Sequence, residues 1–213
     1  MATNKDHWYD GWFYDRFIAP NQDLLFRLIK HRIPAGSTIL DVGCGTGRLA
    51  FALADTCSRI TAVDLSARNI ARANVQLSTK PRENIVFVHG SVEDLRAEGS
   101  AHFDYAVLTY VLHEVAESER RQLLDSLGAI ADRVLIGDYR VPLPGGLWSL
   151  LDQIVERLAG NDHYRGFRSY VLRGGIRGEV AGSTLEPVEE IRHAPRSSQL
   201  WELRGKSDRP ETR

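Results

Sequence analysis

Between residues 37 and 138, short apolar and β-branched runs alternate with stretches of helical period, which restricts the chain to an α/β fold of repeated strand–helix–strand units. The runs fall at 38–42, 59–64, 84–88, 103–109 and 133–138. They are almost continuously apolar, as strands covered on both faces must be. Helices are predicted between them at 48–54, from an N-cap at Ser66 through Ile70, Ala73, Val75 and Leu77 to a stop at Pro81, and at 117–127, where Leu123, Leu124 and Leu127 share a face. Pro142, Pro144, Gly145 and Gly146 then break the pattern. Two amphipathic helices are expected beyond the break, at 147–158 and at 163–172. Two final strands, 184–192 and 198–203, lie close enough in sequence to form an antiparallel hairpin. The expected architecture is a doubly wound seven-stranded sheet, mostly parallel, with an antiparallel carboxyl-terminal hairpin and helices on both faces.

A chain of 213 residues with 43% hydrophobic content is sized for one domain, taken as residues 1–204. Residues 205–213 carry too few apolar groups to offset the entropy of ordering them and are expected to form a disordered tail. The formal net charge of -1 provides no field to attract a phosphate backbone, which argues against a nucleic-acid partner. The arginines beyond residue 157 are interleaved with acids, as on a solvated surface. Cys44 and Cys57 form no metal-ligand pattern, so no metal site is expected. The opening residues lack the apolar stretch of a signal peptide, and no later segment is apolar enough to anchor in a bilayer. A reducing, cytoplasmic setting is the expectation.

The segment Ile39-Leu40-Asp41-Val42-Gly43-Cys44-Gly45-Thr46-Gly47-Arg48 runs from the first strand into a glycine-rich turn and then a helix. This is the carboxyl end of a strand in an α/β sheet, where such folds bind ligands, and Asp64 ends the next strand about 20 residues on. An acid there can accept hydrogen bonds from two ribose hydroxyls, which points to a nucleoside-containing ligand. A dinucleotide site wants glycines spaced Gly-x-Gly-x-x-Gly, whereas here they fall at 43, 45 and 47, preceded by Asp41. A carboxylate at that place would repel a pyrophosphate but stabilise an ammonium and a sulfonium.

Leu-Asp-Val-Gly-Cys-Gly-Thr-Gly resembles the first motif of the class I S-adenosylmethionine-dependent methyltransferases, of the small-molecule type with a Rossmann-like fold. Val63-Asp64-Leu65-Ser66 is similar to their second motif, Gly90-Ser-Val-Glu-Asp-Leu95 to the segment that flanks the adenine, and 103–114 to the fourth. The resemblance implies S-adenosylmethionine as cofactor and S-adenosylhomocysteine as product. It places Gly43, Cys44, Gly45 and Gly47 beneath the methionine part, Asp41 near its ammonium and Asp64 on the ribose. Leu65 would pack on the adenine, Ser91 and Val92 would lie along its edge, and the main chain at Thr109 would approach the methionine moiety. Many relatives carry an acid where this chain has Ser91, which puts an acidic adenine contact in question and leaves a backbone or hydroxyl contact.

Methyl transfer from a sulfonium is an in-line displacement that depends on positioning and water exclusion more than on a dedicated acid or base. If the acceptor is a hydroxyl or an acidic carbon, His113 is the candidate base; a buried or helix-capping histidine is the other reading. Residues 1–36 resemble a helical lid over the cofactor, in which Tyr9 and Tyr14 could face the methyl group. Tyr14 is a candidate binder, while Trp12 and Phe17 are assigned to packing the first helix on the sheet. Residues 139–182 form the insertion that shapes the acceptor pocket in similar enzymes; His163, Tyr164, Arg165 and Arg168 fall in it, as pocket groups or as surface ones. The apolar stripe at 147–158 fits the core, a lipid, or a second copy in a homodimer.

The implied function is methyl transfer to a small-molecule or lipid-like acceptor. The alternatives are a non-catalytic S-adenosylmethionine-binding protein, acting as sensor or complex subunit, and a nicotinamide-dependent oxidoreductase. The glycine spacing disfavours the last, as does the absence of a tyrosine followed four residues later by lysine. Thr109-Tyr-Val-Leu stands where nucleic-acid methyltransferases carry an Asn/Asp-Pro-Pro-aromatic segment. The accepting atom is set by pocket shape, which sequence does not encode legibly.

Overall fold

The computed structural model describes residues 19–97, 99, 102–142, 161–192 and 198–206. Helix α1 (Ala19–Arg32) leads into β1 (Thr38–Val42), α2 (Arg48–Leu53), β2 (Arg59–Asp64), α3 (Ala67–Thr79), β3 (Ile85–His89), α4 (Val92–Ala97), β4 (Phe103–Thr109), α5 (Glu117–Ile130) and β5 (Ala131–Tyr139). Helices α6 (Asn161–Leu172) and α7 (Ile176–Ala181) precede β6 (Leu185–Arg192) and β7 (Ser198–Gly205). The strands form one seven-stranded sheet in the order β3-β2-β1-β4-β5-β7-β6. β1 to β5 pair in parallel, and β7 runs antiparallel to both β5 and β6, as the sequence pattern predicts. Strand order reverses between β1 and β4, which opens a crevice at their carboxyl ends.

Side chains along a strand alternate between faces. On β1, Leu40 and Val42 join the core beneath α4, α5, α6 and α7, with Leu124, Phe167, Tyr170 and Val180. Ile39 joins the opposite core beneath α1, α2 and α3, with Leu25, Leu49 and Ile70. Ser66 caps α3 as expected, its hydroxyl accepting from the Asn69 N–H at 3.3 Å. β6 forms one free edge of the sheet, and its ladder with β7 is irregular between Pro187 and Glu189.

Several expectations change. The helix predicted to stop at 127 continues to Ile130, because Ile130 is itself a buried core residue. α4 and α7 are six residues each, too short for helical periodicity to declare them. Gly205 and Lys206 belong to the hairpin and not to the tail: Gly205 pairs with Leu185, and the Lys206 N–H donates to the Thr184 carbonyl at 2.7 Å. Within the segment expected to form a lid, α1 covers the sheet, with Leu25 and Ile29 completely buried. Residues before 19, the helix expected at 147–158 and the tail beyond 206 lie outside the described residues. Among the described residues no helix is long and apolar enough to cross a membrane, and no cluster of His, Cys, Asp and Glu could hold a metal ion.

Candidate functional site

The loop after β1 is fastened to β2 by its main chain: the Gly43 and Cys44 N–H groups both donate to the Val63 carbonyl, at 2.9 and 3.0 Å. Gly43, Gly45 and Gly47 all have positive φ, at 68, 55 and 85°. A Cβ at Gly43 would lie 2.4 Å from the Val111 side chain, so the loops after β1 and β4 touch there. A Cβ at Gly45 would meet no atom of the described residues within 4 Å. Gly45 thus presents bare backbone to open space, a cradle that any side chain would begin to fill.

Asp64 closes this loop. Its Oδ2 accepts from the Gly45 N–H and its Oδ1 from the Ser66 N–H, both at 2.8 Å. The carboxylate is therefore fixed in place, with lone pairs left on each oxygen. Leu65 follows with 36% of its surface exposed, an apolar side chain standing open beside the fixed acid.

Asp41 ends up differently. It is completely buried, and among the described residues neither carboxylate oxygen has a hydrogen-bond partner. Burial pushes its carboxyl up to about 7, the nearby Asp64 carboxylate adds to the rise, and the Ala50 N–H, which is near it without completing a hydrogen bond, draws it partly back. By strand alternation Asp41 shares the face of Ile39, the side covered by α2. An unpaired acid at full burial is a costly arrangement unless a cation or donor meets it. Arg48 is not that cation, because its guanidinium bonds Gln22 and Asp23 on α1, at 2.8 and 2.6 Å. Cys44 is buried, and burial with the two acids raises its thiol pKa, which keeps it neutral.

Other predicted site residues are placed less simply. The Ser91 N–H and hydroxyl both donate to Asp94 Oδ2, at 2.9 and 2.8 Å, and the Asp94 N–H returns a bond to Ser91 Oγ at 3.1 Å. This is a reciprocal cap for α4. The Val92 side chain is buried in the core, which leaves only its main chain near the rim. Thr109 ends β4 half-buried. Tyr110 after it has φ of 57°, a left-handed conformation that bulky residues adopt only when their surroundings impose it. Tyr14 lies outside the described residues, as do the side chains of His163 and Tyr164, while Arg165 and Arg168 are on the exposed side of α6.

His113 is 2% exposed. Its Nδ1 lies 2.7 Å from Asp138 Oδ1, and its main-chain N–H donates to Asp138 Oδ2 at 3.2 Å. Since a carboxylate accepts, Nδ1 carries the proton. The ring is enclosed by Tyr139, Phe167 and Tyr170, at centroid distances of 4.8, 6.2 and 6.3 Å. His113 is therefore a buried, hydrogen-bonded residue held by Asp138. Asp138 was missed in the sequence; the signal available was an acid at the carboxyl end of a central strand, which Asp41 and Asp64 share.

A family model described as a methyltransferase domain matches residues 39–131. The chain is 29% identical over 201 residues to a ubiquinone biosynthesis O-methyltransferase of Xanthomonas axonopodis pv. citri, covering 92% of this chain and 83% of that protein. It is 35% identical over 129 residues to an S-adenosyl-L-methionine-dependent Diels-Alderase of Talaromyces variabilis, covering 59% of this chain but only 38% of that longer protein. Its fold resembles magnesium protoporphyrin IX methyltransferase of Synechocystis PCC 6803, solved with bound S-adenosylmethionine, with a TM-score of 0.62 at 16% identity over 93% of this chain and 86% of that one. The matched segment begins in β1 and holds the glycine cradle, the unpaired Asp41 and the fastened Asp64. Residues 39–131 belong to the methyltransferase-domain family, and the fold is that of the class I S-adenosylmethionine-dependent methyltransferases.

Proposed function

We propose that this chain transfers the methyl group of S-adenosylmethionine to a small-molecule acceptor. The observation that carries this reading is Asp41, a buried carboxylate with both oxygens unpartnered beside a cradle that opens at Gly45. A ligand bearing an ammonium and a sulfonium supplies the positive charge that this acid lacks, whereas a pyrophosphate would add negative charge to it. When bound, S-adenosylmethionine supplies an electrophilic methyl group for in-line displacement.

The chain's own residues bind and orient. Gly43, Cys44, Gly45 and Gly47 form the floor for the methionine part, Asp41 meets its ammonium, and Thr109 approaches it through the main chain. Asp64, already fixed by two main-chain donors, accepts from the ribose, and exposed Leu65 offers an apolar platform for the adenine. The Ser91 hydroxyl is committed to capping α4, so an adenine contact falls to the main chain at Ser91 and Val92. His113 is assigned to fastening the loop after β4 to Asp138 and not to direct contact with the acceptor, on the strength of its burial. A phenolic hydroxyl is the acceptor class to try first, supported by the name of the Xanthomonas relative. The net charge of -1 favours a small molecule over nucleic acid, and two unpaired cysteines suit a cytoplasmic setting.

The test is calorimetric titration with S-adenosylmethionine, S-adenosylhomocysteine and a nicotinamide dinucleotide, followed by mass-spectrometric detection of methylated catechols. Saturable binding of the adenosyl ligands with methylated product supports the proposal. Binding without product from any acceptor would favour the sensor or subunit reading, and preference for the dinucleotide would overturn both.

A further inference from the structure

Arg120 of α5 is completely buried and reaches three other parts of the fold. Its Nε–H donates to the Val115 carbonyl at 2.9 Å, in the loop joining β4 to α5. Nη1 donates to Glu179 Oε1 on α7 at 2.7 Å. Nη2 reaches the Gly166 carbonyl at 2.7 Å and Ser169 Oγ at 2.9 Å, both on α6. Glu179 also accepts from Arg173 Nε through Oε2 at 3.1 Å, so both carboxylate oxygens are satisfied.

A buried ion pair contributes little net stability relative to apolar groups of the same volume, because desolvation cancels much of the attraction. What this pair provides is a fixed register. A Cβ at Gly166 would sit 2.8 Å from the His113 carbonyl oxygen, so α6 lies in direct backbone contact with the loop after β4. The same loop carries Val111, which packs on Gly43. Asp138 fastens the loop to β5 from the other side through His113. A contiguous path therefore runs from the glycine cradle through Val111 and the 113–115 backbone to α6.

We propose that Arg120, with Glu179, is a positioning residue that locks α6 to the loop after β4 and so transmits occupancy of the glycine cradle to α6. This rests on the reading of the cradle as the S-adenosylmethionine site. Lysine can keep the charge at 120 but cannot reach Val115, Gly166, Ser169 and Glu179 together.

The experiment is amide hydrogen exchange with and without saturating S-adenosylhomocysteine, on the wild-type chain, Arg120→Lys and Glu179→Gln. In the wild type the ligand should slow exchange at 43–47 and, at least threefold, in α6. In Arg120→Lys the protection at 43–47 should persist while that in α6 is lost, with the exchange of α3 unchanged. Glu179→Gln preserves the volume and should at least halve the α6 response, which keeps the test informative if Arg120→Lys does not fold. An α6 response unchanged in either folded variant, or absent from a wild type protected at 43–47, overturns the inference. No protection at 43–47 in the wild type overturns the cofactor reading itself, and this inference with it.

Discussion

The Asp41 and Asp64 carboxylates stand near the carboxyl ends of adjacent parallel strands, yet Asp64 holds two main-chain N–H groups while Asp41 holds none among the described residues. One acid organises the loop, and the other is left for a ligand. Because burial raises the Asp41 carboxyl to about 7, the folded chain binds this proton more tightly than the unfolded chain does. The resulting contribution to stability is fully present below the ordinary aspartate pKa of about 3.9 and is lost as pH rises through about 7. Asp41→Asn should therefore raise the melting temperature of the ligand-free protein at pH 8 and have little effect at pH 4, as scanning calorimetry would show. Equal effects at both pH values would mean that Asp41 has a partner.

The same acid makes ligand binding a protonation event. A cationic ligand favours ionised Asp41, so binding of S-adenosylmethionine near pH 7 should release a fraction of a proton and tighten as pH rises toward 8. Titrations in two buffers of different ionisation enthalpy measure this release. Asp41→Asn should abolish it, and a wild type whose binding heat is the same in both buffers contradicts the prediction.

Asp64→Ala removes a charged acceptor from the ribose site, and affinity for S-adenosylhomocysteine should fall by about 1.5 to 3 kcal/mol. It also strands the Gly45 and Ser66 N–H groups, so a lower melting temperature should accompany the loss. Retained affinity would remove Asp64 from the site.

Gly36 and Gly45 both have positive φ, and neither has an atom within 4 Å of a built Cβ. Alanine at either position carries a similar backbone penalty, on the order of 1 kcal/mol. Only Gly45→Ala should weaken S-adenosylhomocysteine binding, by at least tenfold, while Gly36→Ala leaves it within twofold. Calorimetry on the pair separates backbone strain from obstruction of the cradle.

Asp138→Ala would leave the His113 N–H, His113 Nδ1–H and Tyr139 N–H without their acceptor. A loss of about 2 to 4 kcal/mol in urea unfolding is expected, from several buried donors left unpaired at once. If stability holds while methyl transfer to a catechol fails, the dyad acts in chemistry and not in fastening.

What the sequence disclosed was local in the chain. The strand runs and the glycine turn announce themselves through period and spacing within a few residues, and Asp64 through its place at the end of β2. The contacts that escaped join distant positions: Asp138 with His113, Arg120 with Glu179, Val111 with Gly43. A buried arginine in Glu-Ser-Glu-Arg-Arg-Gln looks like any residue of a solvated helix face until α6 and α7 are laid over it. Ser91 shows the opposite failure, since its resemblance to an adenine-flanking position concealed a capping role with Asp94 three residues away. The burial of Leu25 and Ile29 on α1 is likewise a contact between distant parts of the chain.

The outer strand β6 has a consequence for behaviour at high concentration. Pro187 lacks the N–H that a docking strand would need, the ladder is irregular just after it, and Glu186, Glu189 and Glu190 line the same strand. A strand arriving from another molecule would meet a gap in donors, beside glutamates that are already paired with Arg204, Arg32 and Arg177. Sheet-to-sheet polymerisation is thereby discouraged at this edge, and crowding in the test tube should not extend the sheet through β6.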